Sequence, residues 1–200
     1  KLGRFVNKGT KGIALLVERD VSYKLRHVFD ISDTNSYYGH TISLWQMEPR
    51  YEAAVSEALE NQFGELPQKN SFAENLTNFA GLVVDDNFSD YLSQLLSAKE
   101  GSFLEELDEL NTEVWLKNAL KSSVGFMLLT RCGIDAKYYY SADDFSRIYD
   151  FNTPETISVL GAAGSDISEM ILREIAATVK SIQQEEKKQA RTFADNEHGR

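Results

Sequence analysis

The spacing of apolar positions changes near Pro49. Three short runs rich in β-branched and aromatic residues predict strands at 4–6, 12–18 and 24–31. Gly9 and Gly12 lie in the first connection, where a residue without a Cβ adopts positive φ at little cost. We therefore expect a hairpin between the first two strands, with residues 41–47 as a further candidate strand.

After Pro49, apolar residues recur at helical spacing. The predicted helices cover residues 51–63, 71–84, 88–96, 112–132 and 165–182, and one more begins at Pro154. Ser71 and Glu74 form a capping box, and Asn111 or Thr112 can cap the longest helix. Gly133 is suited to end that helix. We interpret residues 161–164 (Gly-Ala-Ala-Gly) as a tight helix–helix turn.

This pattern predicts an α+β fold, with a small N-terminal antiparallel β-sheet or hairpin followed by a mostly helical body. Residues 1–48 form the β-rich segment and residues 49–182 the helical body. Residues 183–200 lack an apolar period and indicate a fraying helix end or a linker. Because the chain starts at Lys1 inside a strand-like run, we expect a fragment that lacks an upstream portion.

Composition is that of a globular protein, with 200 residues of which 42% are hydrophobic. No apolar run approaches the roughly 20 residues that a bilayer span needs, so no membrane association is expected. Cys132 is the only cysteine, which excludes an internal disulfide and fits the reducing cytoplasm as the default location.

Charge is distributed unevenly along the chain. The net charge of −10 argues against strong binding to nucleic acid. However, residues 1–30 hold seven basic and three acidic residues, or +4, whereas residues 31–200 hold 14 basic and 28 acidic residues, or −14. The chain therefore combines a basic start with an acidic body.

Motifs for catalysis are missing from the sequence. His27, His40 and His198 are the only histidines, and no His-Glu-x-x-His, Gly-x-Ser-x-Gly or P-loop pattern occurs. We expect no catalytic residue, no metal and no cofactor. Acidic clusters, such as residues 105–109, favour a solvated face over acid–base chemistry, while mimicry of DNA phosphates remains an alternative.

The basic opening offers a more specific chemistry. Lys8, Lys11 and the amides near Gly9 and Gly12 can cradle a phosphate, and nearby aromatic rings can stack on unpaired bases. The alternative is an ordinary hairpin with solvated lysines and aromatics in the core. The residue types alone leave both interpretations open.

The opening also resembles a known family. Residues 3–16 (GRFVNKGTKGIALL) and 27–34 (HVFDISDT) resemble the amino-terminal domain of ArdC-type antirestriction proteins, which is also found in large proteins of conjugative elements and phages. The resemblance covers about the first 35 residues. It implies binding of single-stranded DNA and protection of incoming DNA from host defence.

ArdC-type proteins continue into a zinc metallopeptidase, and residues 120–134 are similar to the end of its helix with the glutamate ligand. Ser122 stands at the glutamate position, and no His-Glu-x-x-His precedes it. The resemblance therefore implies a degenerate peptidase without metal. An unrelated helical domain in the same place is the alternative.

These observations predict a non-catalytic single-stranded-DNA-binding module of a mobile-element protein. The predicted site consists of four phosphate-contacting cations and two stacking rings: Arg4, Lys8, Lys11, Arg26, Phe5 and Phe29. The alternative is an acidic protein-interaction or DNA-mimic module that blocks a host nuclease or restriction complex. Expected partners are single-stranded DNA, a host defence protein and further domains of a longer parent chain.

Overall fold

The computed structural model describes residues 3–19, 22–36, 45–68 and 70–198. The chain divides into two units, Lys1–Leu44 and Trp45–Arg200. Among the described residues, the first unit holds short antiparallel strands and helices dominate the second, which confirms the predicted α+β class. Residues 41–44 of the candidate strand lie outside the described part of the chain, and residues 45–47 form no strand.

Four strands form two nested antiparallel ladders. β1 (Arg4–Val6) pairs with β4 (Thr34–Ser36), and β2 (Ile13–Arg19) pairs with β3 (Ser22–Val28). Residues 3–36 therefore form a β-ribbon. We call it the interrupted ribbon because residues that belong to neither ladder separate the two ladders. The interruption consists of residues 7–12 and 29–33.

The predicted hairpin between the first two strands is wrong, since β2 pairs with β3 and β1 pairs with β4. Two residues connect β2 to β3, so a seven-residue ladder forms with a small loss of loop entropy. β1 has only three residues, so a ladder between β1 and β2 would be shorter than the ladder between β2 and β3. The longer local ladder between β2 and β3 therefore forms, and β1 pairs with β4, the strand that follows β3.

The described part of the second unit contains five α-helices. They are α1 (Pro49–Phe63), α2 (Phe72–Asn87), α3 (Ser89–Ala98), α4 (Glu109–Arg131) and α5 (Pro154–His198). Between α4 and α5, residues 136–138 and 142–150 form 3-10 turns. The predicted capping box of Ser71 and Glu74 is confirmed, as is the helix stop at Gly133, whose φ is 77°.

The cap of α4 differs from the prediction. Asp108, rather than Asn111 or Thr112, is the N-cap, and its carboxylate accepts a 2.8 Å hydrogen bond from the Asn111 amide. The Thr112 hydroxyl is buried and donates back to the Asp108 carbonyl oxygen at 2.8 Å. An N-cap side chain accepts a hydrogen bond from an amide two or three residues further along the chain, and Asp108 does so from Asn111.

The predicted turn at residues 161–164 is also wrong, because α5 continues through it without a break. Leu160, Ala163 and Ile167 form one buried stripe, so helical packing is maintained across the glycines. Gly164 faces α4, and a Cβ there would lie 3.5 Å from the Met127 methyl group. Burial of the continuous stripe offsets the helix cost of two glycines, about 1 kcal/mol each.

The core of the second unit lies between these helices. Helical spacing places Ile167, Ile171, Ile175, Val179 and Ile182 on one stripe of α5, of which the first four are buried and Ile182 is partly buried. The stripe packs with buried residues of α1, α2 and α4, among them Leu59, Phe79, Leu120 and Leu128. The polar segment from residue 183 continues α5 as a helix as far as His198.

Candidate nucleic-acid interface

None of the ribbon side chains described, at residues 3–15 and 24–36, is buried. Phe5 is 39% exposed and Phe29 is 37% exposed, so neither ring is buried in a core of the ribbon. Apolar residues are exposed as well, and Ile13 reaches 68%. The rings and aliphatic side chains of the ribbon that the structure describes are therefore all at least partly exposed.

The interruption of the ribbon holds two predicted cations. Asn7 and Thr10 enclose a tight turn, in which the Thr10 amide donates to the Asn7 carbonyl oxygen at 3.2 Å. Gly9 in this turn has a φ of 90°, a conformation that side chains with a Cβ rarely adopt. Lys8 and Lys11 are exposed on either side of Gly9. The turn thus holds two ammonium groups near one another in the sequence and outside the ladders.

Some amides of this turn are already engaged. The Asn7 amide donates to the Asp33 carbonyl oxygen at 2.9 Å, and the Thr10 amide is bound to Asn7. The Asn35 side-chain amide donates to Asn7 Oδ1 at 2.7 Å and ties the two sides of the interruption together. A phosphate at this turn would therefore depend on the lysine side chains more than on these two backbone donors.

Gly12 is required because a side chain at this position would clash with neighbouring atoms, and not because of a positive φ. A Cβ at this position would lie 2.8 Å from two carbons of the Phe29 ring and 3.0 Å from the Val28 carbonyl oxygen. The Phe29 ring therefore rests directly against the backbone of Gly12. Lys11 is the preceding residue, so an exposed cation lies on the same backbone segment as the glycine that the Phe29 ring contacts.

Arg4 and Phe5 lie on β1, beyond the interruption. The Arg4 Nε donates to the Thr34 hydroxyl at 2.7 Å, and its Nη2 donates to the Thr34 carbonyl oxygen. This guanidinium therefore links β1 to β4. Phe5 alternates with Arg4 along the strand, so the two side chains leave the ribbon on opposite faces.

Arg26 lies on β3 directly opposite Leu15 of β2. Since side chains alternate along a strand, Lys24, Arg26 and Val28 share one face, on which Ile13 also lies because it pairs with Val28. Lys24 is exposed and was not among the predicted site residues. Its spacing of two residues from Arg26 was the signal that could have identified it.

Carboxylates also line the interruption. The hydroxyl and the amide of Ser32 donate to the Asp30 carboxylate at 2.6 and 2.8 Å. These hydrogen bonds lower the pKa of Asp30, the side-chain bond being the larger cause, so this carboxylate remains ionised at neutral pH. Asp30 follows Phe29 directly, and its negative charge opposes an approaching phosphate.

Cys132 ends α4 and is 2% exposed. Burial raises the pKa of its thiol to about 11 from an ordinary 9.0, against a smaller lowering by Arg131. Since the thiolate is the nucleophile, we expect iodoacetamide at pH 8 to label Cys132 only after unfolding, as measured by mass spectrometry. Rapid labelling of the folded chain would contradict this.

The raised thiol pKa also gives a pH dependence. Below pH 9 the thiol is neutral in both the folded and the unfolded chain, and its contribution to stability is fully present. Between pH 9 and about 11 only the unfolded chain ionises, so this contribution is lost as the pH rises.

No protein-family model, no curated protein and no solved structure matches this chain. Within the described residues, no helix is long and apolar enough to cross a membrane. Across the same residues, no three His, Cys, Asp or Glu side chains gather as possible metal ligands. Fold and exposed side chains alone therefore define the class: an α+β chain with a basic β-ribbon and an acidic helical unit.

Proposed function

We propose that the interrupted ribbon binds single-stranded DNA, as part of a non-catalytic module of a mobile-element antirestriction-like protein. The observation that carries the proposal is the contact of the Phe29 ring with Gly12, in a segment that also holds two exposed lysines, Lys8 and Lys11. An exposed ring next to cations is the combination that single-strand binders use, because the ring stacks on a base while the cations contact phosphates.

The proposal gives each predicted residue a role. Lys8 and Lys11 contact phosphates at the interruption, and Arg26 extends the contact along the face that it shares with Lys24. Phe29 provides the stacking surface, with Phe5 as a second ring on β1. Arg4 contributes mainly by joining β1 to β4 through Thr34.

The test is fluorescence anisotropy of the 200-residue chain with labelled oligo-dT at several salt concentrations. Each phosphate neutralised on a single strand contributes a log–log slope of about −0.7. We therefore expect Lys8→Ala/Lys11→Ala to reduce the slope by about 1.4 and to weaken binding about tenfold or more at low salt. The matched control is Lys180→Ala/Lys187→Ala, which removes two exposed lysines of α5.

Three results would contradict the proposal. The chain could fail to bind oligo-dT in a salt-dependent manner, or the two double variants could lose affinity equally. Tighter binding to duplex of the same length would reject the single-strand preference.

A further variant is Asp30→Asn, which keeps a capping side chain but removes the negative charge next to Phe29 in the sequence. It is expected to bind oligo-dT more tightly at low salt than the unmodified chain does.

The helical unit supports a second proposed function, interaction with a host nuclease or restriction complex. Its support is the excess of 27 acidic over 14 basic residues in residues 45–200, together with large apolar side chains exposed on the unit. A pull-down from host extract is expected to recover a nuclease or a subunit of a restriction complex. If it recovers neither, this function is wrong.

A further inference from the structure

Four large apolar side chains are exposed at the end of the second unit where α4 and α5 begin. They are Phe103 at 69%, Leu110 at 69%, Tyr149 at 79% and Ile157 at 57% exposed, and we call them the bundle-end patch. Isolated apolar residues are common on surfaces, but neighbouring ones on several elements indicate a binding surface. Whether the segments that carry these four side chains adjoin therefore decides whether they can form one binding surface.

Two contacts bring these elements together. The Phe103 amide donates to Asn152 Oδ1 at 2.8 Å, which places the α3–α4 connection beside the segment that leads into α5. The Arg147 guanidinium stacks over the Trp115 ring at 4.1 Å, which places the segment of Tyr149 along the first turns of α4. The four side chains of the patch are thus carried by three adjoining segments of one unit.

The core at this end is closed by other side chains. Leu104 and Phe151, neighbours of the patch in sequence, are 0% and 1% exposed. The fold therefore does not need Phe103 or Tyr149 to cover its core. Aromatic side chains are enriched at the centres of protein interfaces because they bury a large area with few rotatable bonds.

The surroundings of the patch are acidic. Residues 99–114 and 147–157 contain two basic residues, Lys99 and Arg147, and eight acidic ones: Glu100, Glu105, Glu106, Asp108, Glu109, Glu113, Asp150 and Glu155. Glu113 is paired with Lys117 at 2.7 Å, which leaves seven carboxylates for the rim. Both cations are engaged, because Lys99 donates to the Leu107 carbonyl oxygen and Arg147 covers Trp115. Apolar side chains with a carboxylate rim match a partner of opposite charge.

We propose that the bundle-end patch binds a basic amphipathic helix of a partner protein. Apolar side chains of that helix contact Phe103, Leu110, Tyr149 and Ile157, while its lysines and arginines lie against the acidic rim. This inference deepens the second proposed function by naming the chemistry of the partner, and it is independent of DNA binding by the ribbon. Apolar side chains at its centre favour a protein segment over pure phosphate mimicry.

The probe is an amphipathic helical peptide of leucine and lysine, about 14 residues long, titrated into the full chain by calorimetry. A scrambled peptide of the same composition has the same charge but no apolar face. We expect the amphipathic peptide to bind at least about tenfold more tightly than the scrambled one. The variant Phe103→Ser/Tyr149→Ser is expected to weaken its binding about tenfold or more.

The control variant is Tyr138→Ser/Met170→Ser, which removes two other exposed side chains, at 85% and 41%. Tyr138 follows the far end of α4, which spans 23 residues or about 34 Å. This variant should bind the peptide like the unmodified chain. Circular dichroism should show that both double variants melt like the unmodified chain, because all four side chains are exposed.

Absence of peptide binding, equal binding of both peptides, or equal effects of both double variants would each overturn the inference. If the peptide fails but host extract still yields a nuclease, the patch is wrong and the second function stands. If the peptide binds at the patch and the extract yields no nuclease, the patch stands and that function is wrong.

Discussion

Replacing Phe151 with alanine is expected to destabilise the helical unit by about 3–5 kcal/mol, as typical for a buried phenylalanine. Phe151 is 1% exposed and directly precedes the segment that leads into α5. Its removal leaves a cavity in the core and frees the 3-10 turn of residues 142–150 from its anchor. The measurement is guanidinium unfolding followed by circular dichroism at 222 nm.

Phe103→Ala is the matched control at the same end of the unit. Phe103 is 69% exposed, so its truncation should change the free energy of unfolding by no more than about 0.5 kcal/mol. Similar losses in both variants would contradict the distinction between core and surface on which the bundle-end patch depends. The pair therefore tests the structural basis of that inference without any ligand.

Gly125→Ala is expected to destabilise the chain although alanine is the better helix former. Gly125 is buried within α4, and a Cβ there would lie 1.9 Å from the Tyr140 hydroxyl oxygen. Tyr140 packs against Phe126 and Phe145 at ring distances of 6.5 and 5.9 Å, so it cannot move without disturbing this cluster. Overpacking of this kind costs about 1–3 kcal/mol.

Gly161→Ala provides the opposite case. Gly161 is also within a helix, but a Cβ there would meet no atom of a neighbouring element within 4 Å, so alanine should stabilise α5 by about 0.5–1 kcal/mol. We expect the two variants to differ in sign in the same unfolding experiment. If Gly125→Ala stabilises the chain as much as Gly161→Ala does, the packing of Tyr140 on α4 is wrong.

Tyr140 offers an independent readout for the same pair. Burial raises the pKa of Tyr140, and the nearby Asp144 carboxylate adds to the shift. In Gly125→Ala the displaced ring becomes more solvated, so its pKa should fall toward the ordinary value near 10. Spectrophotometric titration of the tyrosines should detect this change and find none in Gly161→Ala.

The interrupted ribbon and the bundle-end patch differ in the sign of their charge. Exposed cations and rings lie on the ribbon, and exposed apolar residues among carboxylates lie on the helical unit. We propose that the first binds single-stranded DNA and that the second binds a basic protein segment. Because the proposals concern different units and opposite charges, charge variants on one unit should leave binding by the other unit unchanged. Raised salt should screen the ionic contacts of both units and leave their apolar contacts in place.

Local sequence was sufficient for features that depend on neighbours along the chain. The capping box at Ser71 needs only residues within one turn, and the α5 stripe needs only a period near 3.6. Gly133 likewise ends α4 through its own freedom at positive φ. Such local rules also give the approximate positions of α1 to α4, the change from strands to helices at Pro49 and the +4 and −14 division of charge.

Tertiary structure decided what depends on partners distant in sequence. Strand pairing in the ribbon is a competition between ladders, so β1 joined β4 although glycines favoured a turn toward β2. The contact of Phe29 with Gly12 and that of Tyr140 with Gly125 join residues 17 and 15 positions apart, which no local pattern encodes. Continuation of α5 through Gly161 and Gly164 depended on packing against α4, because burial of the stripe outweighs the local cost of glycine.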